Sequence, residues 1–162
     1  MKLQQGKTYM TKTEDLERRL ERIESLEAIR DLHRKYIYLV NSQKWDDVID
    51  CFTPDATVDI ALHGLHKGFA ELTDLFKKKI AKVNEKWNGG HFVTQPMIST
   101  DGDKATGYWM LYICIFDAEM VSGPTLKWIQ GRHDCEYVRS NGKWKISYLK
   151  FSRPWPEPPE KA

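Results

Sequence analysis

Gly89-Gly90-His91-Phe92-Val93-Thr94 divides the chain into two halves of different character. Upstream of it, apolar residues recur every three or four positions; downstream they alternate or run on between turn signals. Four strands are predicted downstream, over His91 to Thr100, Lys104 to Ala118, Leu126 to Arg139 and Lys143 to Arg153. Asp101-Gly102-Asp103, Ser122-Gly123-Pro124 and Ser140-Asn141-Gly142 connect them, and the last is an Asn-Gly hairpin signal. Helices first and a meander of long strands second predict an α+β fold, a curled, mostly antiparallel sheet covered by N-terminal helices.

The strand from Lys104 to Ala118 is apolar on both faces. Trp109, Leu111, Ile113 and Ile115 point one way, and Tyr108, Met110, Tyr112 and Cys114 the other. A sheet solvated on one side would alternate. One face is therefore expected to line the interior and the other to be covered by a helix or a second subunit, with a homodimer or higher homo-oligomer through the sheet as the default.

Upstream, Phe69 to Lys86 carries a helical stripe of Phe69, Leu72, Leu75, Phe76, Ile80 and Val83. Gly64 and Gly68 bracket a turn or hairpin. Ala56 to Leu62 reads as a strand with Val58, Ile60 and Leu62 on one face, and Thr53-Pro54 stops a short helix over Trp45 to Phe52. A long helix starts at Thr13, with Leu16, Leu20, Ile23, Leu26, Ile29, Leu32, Tyr36 and Leu39 at helical spacing. Ser25 is a potential cap that would split it into two segments with a bend. The charged stretch before Ser25 suits a surface arm.

With 162 residues the chain is expected to form one domain over 13–153, flanked by a disordered tail at 1–12 and a Pro-rich tail at 154–162. A net charge of +2 argues against nucleic acid as a partner. Lys77-Lys78-Lys79 reads as a solvated helix face. Cys51, Cys114 and Cys135 are odd in number and form no C-x-x-C, so they read as buried thiols of a reducing compartment. The polar first dozen residues do not read as a signal peptide, and no apolar run has membrane-spanning length. A cytoplasmic protein with no membrane partner is expected.

The histidines are the candidates for chemistry. His91 opens a strand after the glycine pair, with Phe92 on the opposite side. His133 lies on the alternation Ile129, Gly131, His133, Cys135, Tyr137, a face without charge, and so should point inward. Buried imidazoles need hydrogen-bond partners, and Tyr36, Tyr38 and Asn41 near the end of the long helix can supply them. These groups are expected to form the polar end of a small-molecule pocket. By contrast, His33 between Leu32 and Arg34 reads as a helix-surface residue, and His63 and His66 as solvated. No Cys, Asp or Glu joins that pair at ligand spacing, so no metal is expected. Asp59 is a candidate for the pocket mouth, and Cys135 reads as an inert buried thiol. No phosphate loop, nucleotide fingerprint or nucleophile elbow is present in the sequence, and no cofactor is expected.

Leu26-Glu27-Ala28-Ile29-Arg30-Asp31-Leu32, Lys35-Tyr36, Asn41, Lys44-Trp45-Asp46 and Cys51-Phe52-Thr53-Pro54-Asp55-Ala56 resemble the first half of SnoaL-like proteins. These belong to the nuclear transport factor 2-like superfamily. His91-Phe92-Val93-Thr94-Gln95-Pro96, Ala105-Thr106-Gly107-Tyr108-Trp109 and the run from Gly131 to Tyr137 leading to Asn141-Gly142-Lys143-Trp144-Lys145 resemble the second half. The resemblance implies a cone-like α+β barrel wrapped around a pocket. It extends to scytalone dehydratase, bile acid 7α-dehydratase and hexachlorocyclohexane dehydrochlorinase, which implies a cofactor-free lyase or isomerase with His91 as base.

In several such enzymes an aspartate partners the histidine; here that position holds Asn41, which implies a weaker base. An acidic residue that some relatives carry on the following strand has no counterpart here, where Ile113 and Ile115 stand. On this reading an apolar, ring-bearing substrate sits among Phe92, Trp109, Leu111, Ile113 and Ile129, while Tyr36, Tyr38 or His133 donates a hydrogen bond. Two alternatives share the fold: a binding module for an apolar metabolite, and a β-type subunit of a ring-hydroxylating oxygenase.

Overall fold

A computed structural model describes residues 11–84, 88–117, 125–153 and 155–156. Residues 1–10, most of the Pro-rich tail, and the turn at Ser122-Gly123-Pro124 lie outside the described residues.

Helix α1 runs unbroken over Lys12–Asn41. A capping box starts it: Glu14 N donates to Thr11 Oγ1 at 3.2 Å and Thr11 N donates to Glu14 Oε2 at 2.7 Å. The bend expected at Ser25 does not occur. Ser25 is buried mid-helix, and Glu24, Leu26, Glu27 and Ala28 around it are strong helix formers that carry the helix through. Leu16, Leu20 and Ile23 stay exposed, so the first turns form an arm. Burial begins at Ser25 and follows Ile29, His33, Tyr36, Ile37 and Val40 along one stripe.

Helix α2 spans Trp45–Ile49. Strand β1 covers Phe52–Ile60, four residues earlier than predicted. Pro54 is exposed inside it, where the register against its neighbour shifts between Phe52 and Thr57; that irregularity accommodates a residue without an N–H. Leu62, expected on one face with Val58 and Ile60, lies beyond the end of β1, where it has φ 80° and is largely exposed. Strand β2 (Gly64–Lys67) returns antiparallel along β1. The predicted helix from Phe69 follows as α3 (Gly68–Asp74), a π-helical segment (Leu75–Ile80) and α4 (Ala81–Asn84). Lys77 and Lys78 pair with Asp46 and Asp74 on its outer side.

Strands β3 (Asn88–Asp101), β4 (Lys104–Asp117), β5 (Thr125–Ser140) and β6 (Lys143–Ser152) form the predicted meander. Asn141 and Gly142 both have positive φ, as the Asn-Gly turn requires. The sheet order is β2-β1-β6-β5-β4-β3, antiparallel except for β1 against β6. It is a curved, unclosed sheet, and α1 packs into its concave side. Trp109, Leu111 and Ile113 of β4 are buried there, whereas Tyr108 of β4, Phe92 and Met97 of β3 and Trp128 of β5 stay exposed.

Neither glycine of the pair that opens β3 has positive φ, and it is Gly89 that acts by close approach. A Cβ on Gly89 would meet Cys114 O at 1.9 Å, and one on Gly90 would stand 3.7 Å from the Asn41 amide. Gly89→Ala is therefore expected to push β3 off β4 and lower stability by about 1–3 kcal/mol, the usual range for overpacking. Urea unfolding of the variant measures it; an unchanged midpoint would contradict the close contact.

Candidate functional site

Between α1, the π-helical segment and the inner face of the sheet lies a cavity of about 200 Å3. Helix α1 contributes Tyr36, Ile37 and Val40, and the π-helical segment Phe76 and Ile80. The sheet contributes Leu111, Ile113 and Phe151. Among the described residues the polar groups on its wall are Tyr36, His63, His91, His133 and Arg153, with no carboxylate.

The expected pairing of His91 with Asn41 is present. Asn41 is the last residue of α1 and clamps the start of β3 through its amide. Its Nδ2 donates to His91 O at 2.9 Å, and His91 N donates to its Oδ1 at 2.8 Å. This two-way bond to one backbone unit fixes which end of the amide is oxygen. His91 Nδ1 lies 3.0 Å from the same Oδ1. An oxygen can only accept, so Nδ1 carries the proton and Nε2 is the unprotonated, basic nitrogen. Burial pushes the pKa of His91 down to about 4, so the ring is neutral near pH 7.

His133 is buried, as expected, and its partner is the residue assigned to the helix surface. His33 is wholly buried and its Nε2 lies 3.2 Å from His133 Nδ1. It stacks on Trp109 at 4.2 Å between ring centres, and its Nδ1 lies 3.0 Å from Tyr137 Oη. Trp109 Nε1 in turn donates to Tyr137 Oη at 2.8 Å. The spacing Ile29, His33, Tyr36, Val40 put His33 on the buried stripe; its neighbours Leu32 and Arg34 concealed that. Burial holds His33 well below the usual histidine range and brings His133 down to about 3, with a smaller contribution from His91.

Tyr36 lines the cavity, and burial pushes its hydroxyl pKa up. Its Oη and His133 Nε2 have no protein hydrogen-bond partner among the described residues, yet neither atom is sealed off. With Nδ1 turned to His33, His133 presents Nε2 to the cavity it lines, while the Tyr36 hydroxyl also stands near Cys135 and Cys51.

Other expectations need correction. Tyr38 is largely exposed and stands away from the cavity, because two residues along a helix turn it from the face of Tyr36. Phe92 is exposed on the outer face, 6.1 Å from the ring of Trp128, because it alternates with His91. Trp109 points inward but is packed against His33 behind the cavity wall. Ile129, the cross-strand neighbour of Ile113, lines a shallow depression with Leu62 and Trp155 instead. Asp59 is half-buried beside Lys150 and does not line the cavity. His63 lines the cavity, and His66 is buried, with Lys79 Nζ donating to its Nε2 at 2.9 Å; neither is simply solvated. Cys135 is buried, and burial pushes its thiol pKa up, as an inert core cysteine requires.

Solved structures share this architecture at low identity. A nuclear transport factor 2-like protein with a cystatin-like fold from Novosphingobium aromaticivorans is 20% identical with a TM-score of 0.74; the match covers 87% of this chain and 88% of that one. Hexachlorocyclohexane dehydrochlorinase LinA-type3 from Novosphingobium barchaimii LL02 is 24% identical, with a TM-score of 0.68 and coverage of 82% and 88%. A scytalone dehydratase-like protein from Novosphingobium aromaticivorans is 14% identical, with a TM-score of 0.66 and coverage of 80% and 84%. The model of the SnoaL-like domain matches residues 21–150, most of the fold described above, and the chain belongs to that family.

Proposed function

We propose that the protein is a cofactor-independent lyase or isomerase acting on an apolar, ring-bearing hydroxylated or carbonyl substrate, with His91 as its base. The observation that carries this reading is the Asn41 clamp, which orients a neutral imidazole, protonated at Nδ1, on the wall of a mostly apolar cavity. The named activity of the LinA-type3 relative, a dehydrochlorinase of the same fold, lends further support.

In this step His91 Nε2 takes a proton from the carbon beside a substrate carbonyl. The C–H electron pair moves into the carbonyl as an enolate, whose oxygen a hydrogen-bond donor on the cavity wall stabilises. Collapse of the enolate forms the carbon–carbon double bond and expels the group on the next carbon. If that group is hydroxyl, the imidazolium returns its proton, water leaves, and His91 is neutral again. For isomerisation the proton returns to another carbon.

A panel of ring-bearing β-hydroxyketones, followed by the ultraviolet absorbance of the conjugated product, tests the reaction. His91→Ala is expected to lower kcat by about a hundredfold, the low end for a general base, because this imidazole is weakly basic. Turnover that survives the substitution undiminished removes His91 from the role.

A second reading has its own support. Among the described residues that line the cavity none is a carboxylate, and Asn41 stands by His91 where an acid would hold an imidazolium. A binding module for an apolar metabolite would raise the melting temperature with the same panel while forming no product.

A further inference from the structure

Trp109, Tyr137, His33 and His133 form a buried file that the step above does not use, and its direction is set from one end. An indole N–H can only donate, and that of Trp109 donates to Tyr137 Oη. The hydroxyl proton of Tyr137 then needs an acceptor. His33 Nδ1 is 3.0 Å away. The competing acceptor is the Cys135 thiol, which also interacts with the phenol, and a thiol sulfur is a poor acceptor. The phenol therefore donates to His33 Nδ1.

Burial keeps both imidazoles neutral, and a neutral imidazole has one N–H and one lone pair. His33, accepting at Nδ1, must donate from Nε2 to His133 Nδ1 at 3.2 Å. His133, accepting at Nδ1, must carry its own proton on Nε2, the nitrogen that faces the cavity. The wall thus carries two neutral histidines of opposite tautomer: His91 protonated at Nδ1 and His133 at Nε2.

We propose that the cavity selects a carbonyl compound, its oxygen received by the Nε2–H of His133, with His33, Tyr137 and Trp109 as positioning residues that lock this tautomer. The inference rests on the reading of the cavity as a substrate site and narrows its substrate class. A carbonyl oxygen accepts and never donates, which matches the N–H that His133 turns to the cavity. Size narrows it further. A cavity of about 150 Å3 is known to hold benzene, so about 200 Å3 suits one ring with a short substituent.

Two measurements on the full chain decide the matter. Long-range proton–nitrogen NMR correlations of 15N-labelled histidines report which ring nitrogen is protonated. Protons on Nε2 of His33 and His133 are expected; a proton on Nδ1 of His133 overturns the directed file. The second measurement compares acetophenone with ethylbenzene, which have nearly the same shape and differ by the carbonyl. Acetophenone is expected to bind about fivefold more tightly, the worth of one net hydrogen bond. Equal affinities overturn the carbonyl assignment.

In Tyr137→Phe the file loses its direction, and the preference for acetophenone should shrink while ethylbenzene binding holds. An undiminished preference overturns the role given to Tyr137. If that variant fails to fold, the wild-type spectrum and ligand pair still decide the proposal. Failure of the catalytic reading is distinguishable: turnover would ignore His91→Ala while tautomer and ligand preference stood.

Discussion

The folded protein is expected to lose most of its stability between pH 6.5 and pH 4, before its carboxylates matter. His33, His91 and His133 are all held below the ordinary histidine value by burial, His91 at about 4 and His133 at about 3. The sign follows from proton counting. Below pH 6.5 the unfolded chain protonates these rings and the folded chain does not, so protons favour unfolding. The contribution is fully present above pH 6.5 and is lost as pH falls towards the folded values. Each proton taken up only on unfolding lowers stability by about 1.4 kcal/mol per pH unit, and three together by about 4.

His33 and His133 strengthen the effect, since two protons on that pair would stand on rings whose nitrogens are 3.2 Å apart. Against a total of about 5–15 kcal/mol for a domain, the roughly 8 kcal/mol lost over two pH units is more than half. Glu14, Glu27 and Asp74, held below the usual carboxylate range by hydrogen bonds on the surface, titrate at lower pH and do not share this window. Urea unfolding at pH 7, 6 and 5 measures the slope. A midpoint that does not move down to pH 5 would mean that the three rings are not buried as neutral groups.

Those same rings mark where sequence reading succeeds and where it stops. Strands β3 to β6 were legible because alternation and turn chemistry are local: the Asn141-Gly142 turn needs no knowledge of the rest of the fold. The pairing of Asn41 with His91 was legible through family resemblance, since 50 residues separate them and no periodicity links them. Face was easier to read than depth. Trp109, Leu111 and Ile113 share the inner face of β4, yet Trp109 packs behind the wall while the other two line the cavity. His33 was misplaced by composition: a histidine beside Arg34 looks solvated, although its helical spacing from Ile29 and Val40 already put it on the buried stripe. The outer face of β4 was expected to be covered, and the single chain leaves Tyr108 open there.

Replacing Asn41 by aspartate should convert His91 into a much stronger base at a measurable loss of stability. A carboxylate at about 3 Å from Nδ1 is worth about 5 kcal/mol at an effective dielectric of 20. Asn41 is exposed, and solvent screening cuts this to about 3 kcal/mol, or two pKa units. The pKa of His91 is then expected to rise from about 4 to about 6. A better base at neutral pH should raise the rate of proton abstraction by about tenfold.

The amide has a second function that the carboxylate cannot perform. Its Nδ2 donates to His91 O, and an aspartate would set an anionic oxygen against that carbonyl. Losing the donor and adding the repulsion should cost about 1–3 kcal/mol at pH 7. Asparagine at this position thus holds the backbone at both its N–H and its C=O, and gives up basicity to do so.

The two effects separate experimentally. In Asn41→Asp the His91 share of the acid lability should nearly vanish, because folded and unfolded values then almost coincide. The variant should therefore be less stable than wild type at pH 7 and closer to it at pH 5. A histidine titration by NMR that leaves His91 near 4 would show that the residue at 41 does not govern the imidazole, and the catalytic reading would lose its support. A raised pKa with no gain in turnover on the β-hydroxyketone panel would instead favour the binding module, in which His91 orients a ligand and never takes its proton.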